Sequence, residues 1–162
     1  MLQAVFIVLS LVTLGAAVMV VISRSLFRSA LWLILAFFGI AGIFILLQAE
    51  FLAVVQILVY VGAISTLIIF AIMLSHSVMD PKEQRFNEQW GVVAGFAVLL
   101  FVVLLALLTR VQWPITVEPV PPDAIARLGE AFVGPYVVPF EVASVLLVVA
   151  MIGAIIIARE GE

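Results

Sequence analysis

Long uninterrupted apolar runs, broken by brief polar clusters, dominate the chain. They predict helices over 2–22, 26–47, 51–74, 90–109 and 137–158. Each is long enough to cross a hydrocarbon layer, which takes about 20 residues of α-helix. None alternates with the period of two expected of barrel strands. The pattern therefore predicts an all-α integral membrane protein forming a single five-helix transmembrane domain over 1–162. Polar breaks at 23–25, 48–50 and 75–89 are short, so the first four spans should run as successive antiparallel neighbours. The remaining connection, 110–135, holds five of the seven prolines, including Pro119-Val-Pro121-Pro122. Proline breaks regular helix, so this segment is expected as an extended outer loop. A single helical turn on the membrane surface at 128–132 and a structureless lid are both compatible with it.

Composition narrows the class. Of 162 residues 67% are hydrophobic and 10% charged, and the mean hydropathy is +1.41. A soluble domain carries about 25% charged residues, so the natural solvent of this chain is the lipid bilayer. With 7 basic and 10 acidic residues, a net charge of -3 and no basic cluster, nucleic-acid binding is excluded. The chain has no cysteine and one histidine, His76. Disulfides and cysteine-held iron-sulfur clusters are thereby ruled out, and no cofactor or metal is expected on this chain. His76 reads as a residue at a helix C-terminus. The first 23 residues lack Lys and Arg, so the charged head of a cleaved signal peptide is missing and the first span should be retained.

Charge also sets the expected direction. With the N-terminus outside and the C-terminus inside, Arg24, Arg28, Lys82, Arg85 and Arg159 fall on the inner face, against Arg110 and Arg127 outside. This is the arrangement that the excess of basic residues in inner loops favours.

Polar residues at membrane depth are costly and suggest function. Glu50 and Glu141 stand out, each readable as a proton carrier or as a first-turn carboxylate facing free N–H groups; Pro139 would place Glu141 in such a turn. Within the third span lie Gln56, Tyr60, Gly62, Ser65 and Thr66. On a regular helix Gln56 and Tyr60 lie about 40° apart, while Gly62, Ser65 and Thr66 face elsewhere. One inserted residue, as in a π-bulge, would turn Ser65 towards the Tyr60 side. Gly62 is open to two readings, a close helix contact or the seat of such a bulge. Gly91 and Gly95 on the fourth span, and Gly39 and Gly42 on the second, offer small faces for helix packing, inside the chain or against partners. Trp32, Trp90 and Trp113 suit the membrane interfaces.

The stretch 38–74, with Val59-Tyr60-Val61-Gly62-Ala63-Ile64 inside it, resembles subunit J of bacterial NADH-quinone oxidoreductase, respiratory complex I. Gly134-Pro135-Tyr136, then Glu141-Val-Ala-Ser144 and a run ending in Ala158-Arg159-Glu160, is similar to the last helix of that family. Two positions differ. Ser25-Leu26 stands where Asn-Pro often opens the second helix, and Gln56 where some members have Glu. An amide at 56 passes a hydrogen bond but does not titrate.

The resemblance implies a membrane-arm subunit in the bacterial plasma membrane, assembled with the other membrane-arm subunits of complex I. It further implies a π-bulge at Tyr60, Val61 and Gly62 that gates a proton path, with Glu141 and Tyr60 as its polar contributors; Gln56, an amide, and Glu50, equally readable as a helix-start carboxylate, complete the path candidates. NADH, FMN, iron-sulfur clusters and quinone would sit on other subunits. A stand-alone transporter or channel, which would need several ionisable groups converging at the midplane, and a purely structural scaffold are the competing readings. Ferredoxin- and F420-linked complexes would share such a subunit, so the electron donor and the quinone type are not readable here.

Overall fold

Where water is absent, backbone N–H and C=O groups must pair within their own segment, and apolar runs of this length accordingly become helices. A computed structural model describes residues 1–74, 89–111 and 121–159. The expectations placed on His76, Lys82, Arg85, Trp113 and Pro119 lie outside these residues. The elements in order are α1 (Leu2–Ile22), α2 (Leu26–Leu46), α3 (Glu50–Val55), a π segment (Gln56–Ile64), α4 (Ser65–Leu74), α5 (Trp90–Arg110), α6 (Ala124–Val133) and α7 (Val137–Ala158). From α3 to α4 the helix is continuous, giving a third long helix over Glu50–Leu74. Among the described residues five helices are thus long and apolar enough to cross a membrane, and the chain is a multi-pass membrane protein. The described helices fall into two compact units, Met1–Val117 and Glu118–Glu162.

In the first unit α1, α2 and the third long helix pack in sequence, α2 touching all three of its parts. The buried apolar residues are small: Ala16, Ala30, Ala36, Ala41 and Ala53. Lipid tails are as apolar as leucine, so helices gain little by hiding large side chains from them and associate through close backbone approach instead. The closest approach is at Gly39, where an added Cβ would overlap the Thr13 hydroxyl, and at Gly42, where it would lie 3.1 Å from Leu9 Cδ1. Thr13 turns its hydroxyl back onto its own helix, donating to the Leu9 carbonyl at 2.7 Å. The Gly39/Gly42 face is therefore used inside the chain. Around Gly91 and Gly95, by contrast, none of the described residues lies within 4 Å of an added Cβ.

The turn between α2 and α3 is built by hydrogen bonding. The Ala49 N–H reaches the Phe44 carbonyl at 2.9 Å and the Gln48 N–H the Ile45 carbonyl at 3.0 Å. This is a Schellman cap, which requires a left-handed residue at its centre. Here that residue is Gln48, with φ 57°. The cap satisfies the last carbonyls of α2 and reverses the chain within three residues.

In the second unit the Pro121 carbonyl accepts the Ala124 N–H at 3.0 Å, and α6 then runs ten residues. The single surface turn expected at 128–132 is thus a longer helix, beginning four residues earlier. The prolines stop short of it, and Gly129 alone weakens its interior. Asp123 precedes the helix without a side-chain cap bond and pairs with Arg127 one turn on, at 3.0 Å. At Gly134 a Cβ would sit 2.9 Å from the Glu130 carbonyl, so the tight exit needs glycine. Phe132 and Phe140 stack at 5.7 Å across the α6–α7 corner.

Candidate functional site

The third long helix concentrates the unusual chemistry, and its hydrogen bonding is unusual too. Over Gln56–Ile64 the backbone bonds five residues back instead of four, and at its end the Ser65 N–H reaches the Tyr60 carbonyl. The Ser65 hydroxyl donates to the same carbonyl at 2.8 Å. One residue on, the Thr66 hydroxyl donates to Gly62, four back. The pair of hydroxyls therefore marks the step from wide turns to regular helix.

Wide turns change which residues share a face. Gln56 and Ser65 are nine residues apart, which on a regular helix puts them on opposite sides. In the structure both are buried, 6% and 2% exposed, in the helix that packs on α2. Between them Tyr60 is 42% exposed and sets its ring edge-on to Phe37 of α2, centroids 5.4 Å apart at 68°. The expected turning of Ser65 towards the Tyr60 side is thus present, and the π segment begins at Gln56, six residues before Gly62. Gly62 itself is exposed, and a Cβ there would meet only the Ile57 carbonyl of its own helix, at 3.4 Å. Of the two readings for this glycine, a close helix contact has no counterpart among the described residues.

The carboxylates lie apart from this cluster in the chain. Glu50 opens α3 in its first turn, exposed, after the cap residue Ala49, while Tyr60 is near mid-helix. Glu141 belongs to the second unit. Its helix starts at Val137, making Glu141 the fifth residue and placing it beyond the first turn, where it was expected. Pro139 is tolerated because the first turn needs no N–H donors, but it stands third, not at the helix start. Ser144 spends its hydroxyl on the Glu141 backbone carbonyl, at 2.7 Å, leaving the exposed carboxylate free of it.

Among the described residues no group of three or more His, Cys, Asp or Glu side chains could hold a metal ion. The chemistry available to the π segment and its exit is hydrogen-bond exchange by an amide, a phenol and two hydroxyls. The sequence points to Tyr60, Val61, Gly62 and Gln56 as site residues and to Ser65 as a polar neighbour that a bulge turns towards Tyr60; the closing of the segment by Ser65 and the contact with Phe37 are not marked in it.

Comparison with known proteins gives this helix its context. Residues 16–157 match the family model of NADH-ubiquinone/plastoquinone oxidoreductase chain 6. The chain is 40% identical over 161 residues to F(420)H(2) dehydrogenase subunit J of Methanosarcina mazei, covering 96% of this chain and 90% of that protein. It is 39% identical over 161 residues to NAD(P)H-quinone oxidoreductase chain 6 of Synechocystis sp., at 95% and 79% coverage. The chloroplast subunit 6 of NAD(P)H-quinone oxidoreductase from Nephroselmis olivacea is 38% identical over 144 residues, at 86% and 82%. With nearly the whole chain matched in each case, and five long apolar helices of which the third is widened, this protein belongs to the chain 6 family of complex I-like membrane subunits.

Proposed function

We propose that this chain is a membrane-arm subunit of a proton-pumping quinone oxidoreductase, in which the third long helix gates a proton path. One observation carries the reading: the π segment over Gln56–Ile64, which brings Gln56 and Ser65 onto the α2 side from nine residues apart. Each residue inserted into a helix turns everything beyond it by about 100°. Interconversion of the segment with plain α-helix would therefore swing 65–74 about the helix axis, making or breaking a hydrogen-bonded path. Tyr60, Val61 and Gly62 form the moving part. Tyr60 and Gln56 pass hydrogen bonds, and Glu50 and Glu141 supply carboxylates that bind and release protons.

The N-terminus is outside and the C-terminus inside, in a bacterial plasma membrane. NADH, FMN, iron-sulfur clusters and quinone belong to other subunits in this reading. The relatives' names include both F(420)H(2) and NAD(P)H, and a gate of this kind is indifferent to the donor.

The test is Gly62→Ala in the assembled complex. Alanine favours regular helix over glycine by about 0.8 to 1 kcal/mol, enough to shift a two-state helix several-fold. Its Cβ would meet one carbonyl at ordinary contact distance, so assembly should hold. Electron transfer from the donor to an artificial acceptor should persist while quinone-linked pumping falls. Pumping and assembly both intact, or both reduced in proportion, would overturn the gate.

A further inference from the structure

The return from wide to regular helix leaves one backbone group uncounted. Ser65 donates its N–H to Tyr60, five back. From Ser65 onward the helix is α, so the next amide, Thr66, reaches four back to Gly62. The carbonyl of Val61, lying between, is passed over. The neighbouring hydroxyls deepen the contrast, because Ser65 gives its own to Tyr60 and Thr66 gives its own to Gly62. The carbonyls on either side of Val61 thus each have a side-chain donor in addition to a backbone one, and Val61 has neither. Val61 is half-buried and stands twelfth in the 25-residue span Glu50–Leu74, near its middle. An unpaired carbonyl at that depth is strongly disfavoured unless a donor meets it.

We propose that the Val61 carbonyl is a binding site for one water molecule, open only while the third helix keeps its wide turns. The water donates one hydrogen to Val61. It finds its second partner in the Ser65 oxygen, whose lone pairs are free while its own hydrogen is committed to Tyr60. When the segment becomes regular helix, the Ser65 N–H moves to Val61 and the water loses its place. Binding to one form alone stabilises that form. Hydration and helix width are then one equilibrium, in which arrival of water at mid-span selects the open geometry. Ser65 acts as a positioning residue. This rests on the helix interconverting, as in the gate above.

A map of the assembled complex at a resolution that shows ordered water decides it, with particles sorted by the form of the third helix. In wide-helix particles a peak is expected about 3 Å from Val61 O, and none where the helix is regular. Ser65→Ala should weaken the peak and lower the wide fraction several-fold, whereas Thr66→Ala should change neither. A Val61 carbonyl that is dry, bonded to an amide or met by a side chain of another subunit in wide particles overturns the proposal, as does a helix regular in all particles. If Ser65→Ala does not assemble, the wild-type map decides alone. The peak is read in the wide form itself, so its presence or absence is separable from the pumping result for Gly62→Ala.

Discussion

Ser65 closes its hydroxyl onto the carbonyl of Tyr60, five residues back, at 2.8 Å, while its own backbone N–H bonds the same oxygen. Two donors from one residue hold one acceptor. On a regular helix the same side chain would bond four back, as Thr66 does to Gly62. The wide segment is therefore secured at its exit by a side chain as well as by the backbone.

The α1–α2 contact has no spare volume at Gly39. Gly39→Ala is expected to force apart the two helices or displace Thr13, at a cost of about 1 to 3 kcal/mol, seen as reduced subunit incorporation into the complex. Thr13→Ala in the same chain removes the atom in the way and should restore part of it. Gly91→Ala, with no neighbour among the described residues within 4 Å, reports instead on any other subunit seated there.

Gln48 holds a left-handed conformation that an L-residue adopts at a cost of roughly 1 to 2 kcal/mol, and glycine does not bear this steric cost. Glycine gives back part of the gain in unfolded-chain entropy. Gln48→Gly should stabilise the α2–α3 turn by about 0.5 to 1 kcal/mol. Gln48→Val should destabilise it. Resistance of the assembled membrane arm to heating in detergent measures both.

Glu141 stands outside the first turn of α7, and its backbone carbonyl, not its carboxylate, receives Ser144. Glu141→Gln leaves that bond in place. The complex should assemble normally and show a lower proton yield per electron, measured by acidification against quinone reduction in sealed vesicles. Unchanged yield in an assembled complex would remove Glu141 from the path.

The direction across the membrane is checked by single cysteines in this cysteine-free chain. A thiol at Ser25 should be shielded from an impermeant reagent in right-side-out cells, and one at Asp123 should react. The reverse labelling would invert the orientation.

The spans were legible because length and apolarity alone make a membrane helix. Their ends agreed closely with the pattern: α2 stops at Leu46 instead of 47, and the third helix starts at Glu50 instead of 51. Capping at Gln48 explains the shift, since a left-handed glutamine leaves no composition signal. α6 was read as one turn at most because nearby prolines masked a ten-residue run with a glycine inside it. The wide segment was harder still. Apolar residues surround it on all sides, so periodicity carries no information, and only the polar pair Gln56 and Ser65 records the turn length. Family resemblance supplied a bulge at Tyr60 to Gly62, but its beginning at Gln56 and its closure by Ser65 depend on hydrogen bonds that residue types do not announce.

A core made of alanines and glycines reverses the usual direction of mutational harm. In a water-soluble domain most damage comes from losing methyl groups, and the cavity left behind sets its size. At Ala16, Ala36 and Ala41, and at Gly39 and Gly42, there is almost nothing to lose. Every residue change that a single base can make in a glycine codon enlarges the side chain, and nearly every one in an alanine codon does. Drift at these positions therefore pushes the helices apart, and selection on them acts against growth.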